Sequence, residues 1–316
     1  MTSAASSEAS GWPPAVLDPA GPYSEPVTTL AWALLFGGLA VLLIVLLALG
    51  IALFGSQKLK TRLGGEKAIW IFGFAFPAVV LTGLLIWGLM LTSSLSATRI
   101  PADAMRVKII GEMWWWRVHY LDGEGREVLR DANELHIPVG QPVLLELEAA
   151  DVIHSFWVPR LGGKMDMIPG RTNRLLIEAK EPGIYKGQCA EYCGGPHALM
   201  GFVVVAHARE DFARWRTSRR PTVAAGGEGQ ALFLTSGCAA CHTIRGTAAN
   251  GLAGPDLTYV GSRQTLGAGI LPNNPGTMAG WIADAQAIKP RNRMPAYHQF
   301  SGEELRALTA YMVSLK

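Results

Sequence analysis

Sulfur and imidazole are the groups in this chain whose spacing is set for chemistry. The four cysteines fall into two close pairs, Cys189 with Cys193 and Cys238 with Cys241, and each pair has a histidine at short range: His197 shortly after Cys193, and His242 directly after Cys241. Two local disulfides are the competing reading, but neither spacing resembles the framework of a disulfide-stapled exported domain, and the neighbouring histidines favour metal or cofactor attachment.

The second pair is the simpler to read. Cys238-Ala239-Ala240-Cys241-His242 is C-x-x-C-H, the signature of covalent haem c attachment, in which Cys238 and Cys241 fix the porphyrin by thioether bonds and His242 is the proximal iron ligand. A methionine on the other side of the iron raises the potential into the range useful for passing electrons onward. Met294, in Arg293-Met294-Pro295, is the expected distal ligand, with Met278 and His298 as competitors.

The first pair lies in Cys189-Ala190-Glu191-Tyr192-Cys193-Gly194-Gly195-Pro196-His197-Ala198-Leu199-Met200, with His154 upstream. Two thiolates, two imidazoles and a thioether are soft-to-borderline donors that suit copper, and methionine beside histidine and cysteine is characteristic of copper electron transfer. Zinc would not need the methionine, and its structural sites usually space their cysteines more tightly. Two bridging thiolates can hold two copper ions in one compact cluster that accepts a single electron with little rearrangement. Met165 and Met167 read as packing, and His119, His136, His207 and His298 as surface or hydrogen-bonded histidines.

These groups need elements to position them. From Ala104 to about Ala208 the chain alternates short β-rich runs (Val107 to Ile110, Trp116 to Leu121, Val143 to Glu148, Arg174 to Glu178, Phe202 to Val205) with turn signals such as Asp122-Gly123, Pro169-Gly170 and Pro182-Gly183, the pattern of a small β-sandwich or barrel. Residues 209–227, Arg-rich and then Ala/Gly-rich, read as a solvated linker. The region 228–316 reads as helical. It ends in a capping-box pattern, Ser301 with Glu304, ahead of Leu305, Leu308, Met312 and Leu315 on one helix face.

Ahead of the β region stand two apolar runs, 27–54 and 68–91, each long enough at about 1.5 Å per residue to cross a hydrocarbon core near 30 Å. A hydrophobic fraction of 49% agrees with a segment in lipid. Lys58, Lys60, Arg62 and Lys67 lie between the runs, whereas the polar residues 1–26, read as a flexible outer tail, contain no Lys or Arg. The positive-inside rule therefore puts the connecting loop in the cytoplasm and everything after about Thr92 on the outer side. Pro77 is expected to kink the second helix, which a neighbouring helix can tolerate. A net charge of +3, with no basic tract interleaved with aromatic residues, argues against nucleic acid as a partner.

The segments Asp151-Val152-Ile153-His154-Ser155-Phe156, Lys164-Met165-Asp166-Met167-Ile168-Pro169-Gly170-Arg171 and the cysteine loop, in that order, resemble subunit II of the haem-copper cytochrome c oxidases, here with a fused cytochrome c domain. Gly254-Pro255-Asp256-Leu257 is similar to a segment of small cytochrome c domains. The resemblance implies a multidomain fold: a two-helix transmembrane hairpin over 27–98, an all-β cupredoxin-like sandwich over 99–208, the linker, and an all-α class I cytochrome c domain over 228–316. It implies the dinuclear CuA centre, with Cys189 and Cys193 bridging, His154 and His197 each on one copper, Met200 on one and the Glu191 backbone carbonyl on the other. It also implies that the Glu191 carboxylate reaches a magnesium or manganese ion at the subunit I interface.

Gly111-Glu112-Met113-Trp114-Trp115-Trp116 resembles the aromatic cluster over the copper site in that family, and departs from it at Met113 and Trp115, where Gln and Tyr are commoner. Trp114 is the implied electron inlet. Glu66, at the cytoplasmic start of the second helix, is a candidate mouth for a proton channel, against the plainer role of balancing Lys67.

The expected function is the electron-inlet subunit of a proton-translocating respiratory oxidoreductase. Electrons arrive at haem c, pass by way of CuA to the haem-copper subunit I, and reduce O2 to water there, since this chain carries neither a histidine array for oxygen chemistry nor an acid–base or nucleophile constellation. Expected partners are subunits I and III, membrane lipid, and a donor that is a cytochrome c, a copper protein or a quinol-oxidising complex. The expected location is the bacterial inner membrane, with the soluble domains outside. The alternatives are a CuA-bearing subunit of a nitric oxide reductase and a non-catalytic, membrane-anchored copper or redox carrier.

Overall fold

With no proline beyond Pro26, which sits in the first turn where its missing N–H costs nothing, the first apolar run folds as helix α1, Glu25–Phe54. Helix α2, Gln57–Leu63, carries Lys58, Lys60 and Arg62, and α3 spans Glu66–Leu95. A π-helical stretch, Ile69–Ala75, lies just before Pro77, where a kink is expected. The proline then falls in the first turn of the α-helical part, so the widened turns absorb its missing donor. Both long helices expose apolar side chains on every face, an arrangement suited to hydrocarbon rather than water. In this computed structural model residues 15–96, 100–219 and 226–316 are described. Residues 25–98 form one unit, and the rest of the chain forms the other.

Among the described residues of the second unit, ten strands make two five-stranded sheets. They are β1 Met105–Glu112, β2 Trp115–Leu121, β3 Glu127–Ala132, β4 Glu134–Pro138, β5 Val143–Ala149, β6 His154–Trp157, β7 Met165–Met167, β8 Asn173–Ile177, β9 Gly183–Cys189 and β10 Gly201–His207. The sheet orders are β3-β2-β1-β5-β8 and β4-β10-β9-β6-β7, with β1/β5 and β10/β4 parallel and the other pairs antiparallel. Period-two alternation turns Val107, Ile109, Leu145 and Leu147 inward from one sheet to meet Phe156, Phe202 and Val204 from the other. Trp116 is fully buried between them, edge-on to Phe156 and Phe202, and its indole N–H donates to the Gly201 carbonyl at 2.9 Å. All five strand runs anticipated from sequence are present. The five others are short or carry charge, and their patterns are correspondingly weak.

Two segments differ from expectation. Arg209–Ser218, expected as linker, is helix α4, because Phe212 and Trp215 one turn apart give it an apolar edge. Trp215 stacks on His136 with ring centroids 4.2 Å apart. Residues 220–225 of the expected linker lie outside the described residues, as do 1–14 of the expected tail. The described end of that tail is docked: the Ala20 N–H donates to the Arg160 carbonyl at 2.7 Å, Lys180 returns a bond to the Ala20 carbonyl, and Arg160 pairs with Asp18 at 2.8 Å.

The C-terminal region is helical: α5 Glu228–Thr235, α6 Cys238–Cys241, α7 Pro275–Ala283, α8 Ala285–Ile288 and α9 Gly302–Ser314, with a small ribbon of Thr265–Leu266 against Leu271–Pro272. Its core is Phe233 of α5 against Leu308, Tyr311 and Met312 of α9, closed by Met278 and Ile282 of α7. The capping box is formed, with the Ser301 side chain accepting from the Glu304 N–H and the Glu304 carboxylate accepting from the Ser301 N–H.

This helical region packs on the sandwich. Tyr259 is buried in the sandwich's own core cluster, the Gln264 N–H donates to the Glu134 carboxylate at 2.7 Å, and the Gly201 N–H donates to the Ala268 carbonyl at 2.8 Å. A side chain at Gly201 would stand 2.8 Å from that same carbonyl, so only glycine allows the approach.

Candidate metal centres

The end of β9 delivers Cys189, the loop after it returns Cys193 and His197, the start of β10 is preceded by Met200, and β6 brings His154 alongside. Cys189 Sγ lies 3.7 Å from Cys193 Sγ, 3.9 Å from His154 Nδ1 and 3.2 Å from the Glu191 carbonyl oxygen. Cys193 Sγ lies 3.5 Å from His197 Nδ1 and 3.7 Å from the Met200 sulfur. Metal–nitrogen and metal–sulfur bonds of about 2.0 and 2.3 Å can therefore share an ion across each sulfur–nitrogen and sulfur–sulfur span. Both cysteines are buried free thiols, so the local disulfide reading fails for this pair. The donor set of thiolate, imidazole, thioether and carbonyl fits copper better than zinc.

The electrostatics suit a cation. The pair shares one proton: the hydrogen bond from Cys193 holds Cys189 down to about 4, and the same bond with burial pushes Cys193 up. Burial opposes a charge on His154, but the Cys189 and Asp151 hydrogen bonds outweigh it and raise its pKa. Asp151 Oδ1 lies 2.9 Å from His154 Nε2, so the carboxylate accepts a hydrogen bond from Nε2–H and the Nδ1 lone pair is left facing the sulfurs. The same carboxylate accepts from the Met113 and Val152 N–H groups. Asp151 opens the His154 segment of the sequence with no role expected of it there; its signal is the position three before His154 on a turn.

The second centre lies in a cavity of about 390 Å³, a size proper to a cofactor site, lined by Cys238, Cys241, His242 and Met294 among others. His242 Nδ1 donates to the Pro255 carbonyl at 2.8 Å, which fixes the tautomer and frees Nε2 to act as a ligand. Gly254 lies flat on this ring: a Cβ there would stand 2.7 Å from His242 Cε1. The Met294 backbone is pinned on both sides, its N–H donating to Asn292 and its carbonyl accepting from Gln286, each at 2.7 Å. Met278 also lines the cavity, whereas His298 is exposed, lies outside the lining and pairs with Asp284. The residues present fit a covalently held haem c.

The cavity wall is completed from the sandwich by Glu112, Met113, Trp114, Trp115 and Asn133. Trp114 thus borders the second centre, and its indole N–H donates to the Cys193 carbonyl of the first at 2.9 Å. Met165 and Met167 lie on β7, with Met167 paired opposite His154 of β6 and buried in the core. His119 pairs with Glu127, and His136 bonds both Glu134 and His207. The Glu191 carboxylate is half-exposed and 4.0 Å from Lys164. Glu66 opens α3, as expected.

The family profile described as cytochrome c oxidase subunit II, periplasmic domain, matches residues 121–207, and that described as cytochrome c matches residues 227–316. The cytochrome c oxidase subunit 2 of Alkalihalophilus pseudofirmus is 36% identical over 271 residues, covering 83% of this chain and 77% of the relative. That of Bacillus subtilis is 30% identical over 288 residues, covering 83% and 78%. Copper and haem binding follow from the two matched domains together with the converging His154, Cys189 and Cys193. With two apolar helices ahead of a domain of the periplasmic type, the chain is membrane-anchored with its soluble domains on the outer side, and it belongs to the cytochrome c oxidase subunit II family, in a form carrying its own cytochrome c domain.

Proposed function

We propose that this chain takes electrons into its oxidase at the haem domain first and at the copper domain second. Cys238, Cys241, His242 and Met294 would hold haem c; His154, Cys189, Glu191 through its carbonyl, Cys193, His197 and Met200 would hold the CuA pair. When bound, these groups supply one-electron redox chemistry at two adjacent stations. The protein's part is positioning. Asp151 orients His154, Pro255 orients His242, and Trp114 spans from the cavity wall to the Cys193 backbone, a hydrogen-bonded link between the two centres.

The observation that carries this reading is the double role of Trp114, which borders the haem cavity and bonds Cys193 at 2.9 Å. With Met113, Trp114 and Trp115 turned into the cavity, an outside donor meets the cytochrome domain before it meets the tryptophan. The finer parts of the reading follow the family: a haem-copper subunit I as acceptor, where O2 is reduced with proton pumping; subunit III and lipid around the helices of the bacterial inner membrane; a magnesium or manganese ion at the Glu191 carboxylate; and Glu66 near a proton-channel mouth. The proposed limits are a hairpin over 27–98, a copper domain over 99–208, a linker over 209–227 and a haem domain over 228–316.

Cys193→Ser tests the route in the purified complex. The expected result is loss of the near-infrared copper absorption and of steady-state oxygen consumption, with haem c still reducible by donor. Normal turnover in that variant would refute the route.

A further inference from the structure

Lys289, just after α8, is buried to 3% exposure in the wall of the haem cavity. Its ammonium donates to the Trp114 carbonyl at 2.8 Å and to the Gly267 carbonyl at 3.0 Å. An ammonium has three donors, and two go to neutral carbonyls. Among the described residues no carboxylate lies within ion-pair distance of it. The other titratable groups on the wall are engaged: Glu112 with Arg117, Arg263 with Asp131, Arg293 toward Asp151 at 3.7 Å, and His242 with the Pro255 carbonyl. Tyr297 and the two haem-attaching cysteines complete the set.

A buried cation with no carboxylate beside it is costly, and burial, only partly offset by Cys193, pushes the Lys289 pKa down to about 7. The cavity's intended occupant brings the missing anion, because a haem carries two carboxylates. Charge complementarity and the free third donor point the same way.

We infer that Lys289 is a positioning residue that binds a haem carboxylate with its third donor while gripping the Trp114 backbone with another, so that the haem edge is fastened to the tryptophan whose indole holds Cys193. The inference rests on the haem c reading of Cys238, Cys241 and His242. It gives the chain one continuous polar tie, from haem carboxylate through Lys289 and Trp114 to the copper loop.

Lys289→Met, Lys289→Gln and Lys289→Arg in the intact complex test it, with the haem c midpoint potential measured against pH as the readout. In the wild type the ion pair keeps the carboxylate ionised, and the potential is flat through neutrality. Without the cation the buried carboxylate's pKa rises into the neutral range. The potential of the Met and Gln variants should then fall as pH increases through that pKa, while Arg restores the flat profile. Gln, neutral but with two N–H donors to offer the carbonyls, decides the matter even if Met fails to fold. A Gln variant that titrates like the wild type overturns the carboxylate tie. Denatured-gel haem staining separates the two levels: a wild-type chain without covalent haem would overturn the haem reading itself, whereas stained chains with unchanged potentials would overturn only the role of Lys289.

Discussion

Arg263 and Asp131 form a buried ion pair between the haem and copper domains, with Arg263 Nε donating to the Asp131 carboxylate at 2.8 Å and a second guanidinium nitrogen 2.7 Å from the same oxygen. Both side chains are almost fully shielded from solvent, and Arg263 also donates to the Asp256 carbonyl. Arg263→Met strands the aspartate in the interface, and removing one partner of such a pair costs about 3–5 kcal/mol. The double variant Asp131→Leu/Arg263→Met should recover most of that loss. Thermal unfolding of the single and double variants checks the pairing through a double-mutant cycle.

Asp151 gives a second expectation. Asp151→Ala removes the acceptor that fixes the His154 tautomer, and loss of such a partner costs about 10–100-fold in metal affinity. Copper retention during titration with a chelator should fall accordingly, with the haem c spectrum unchanged. Retention equal to wild type would show that the backbone alone orients His154.

Gly254→Ala tests the haem pocket. A methyl group there would press on the His242 ring, which has no room to retreat while Nδ1 bonds Pro255. The expected result is a chain whose haem is covalently attached but altered at its proximal ligand, seen as a changed low-spin spectrum and a shifted potential.

The His136–His207 pair supplies a pH dependence. Burial, and the neighbouring His136 after it, lower the His207 pKa from 6.5 to about 4. The unfolded chain therefore binds more protons between these values, so stability from this group is complete above about pH 6.5 and is lost as pH falls toward 4. His207→Phe, which keeps the stacking on Trp215, should flatten that part of the acid-denaturation profile.

The two centres were legible in the sequence to different depths. The cysteine loop and C-x-x-C-H carry most of their candidate donors within a few residues of one another, so composition and spacing point directly at soft-metal and haem chemistry, whereas His154 comes from another strand to 3.9 Å from Cys189 Sγ. The contacts between domains left no such trace. Lys289 with Trp114, Arg263 with Asp131 and Gly201 with Ala268 are ordinary residue types far apart in the chain, and only tertiary packing gives them meaning. Helix α4 was hidden for a different reason: its arginines dominate the composition, while two aromatics one turn apart set its fold.

The most direct test of the account is the order of reduction in the intact complex. After a pulse of one-electron photoreductant, haem c absorbance should rise first and then decay with the same rate constant at which the copper near-infrared band bleaches, independent of donor concentration, and Trp114→Leu should slow that shared phase. Copper reduced before the haem, or at a rate that scales with donor, would contradict it.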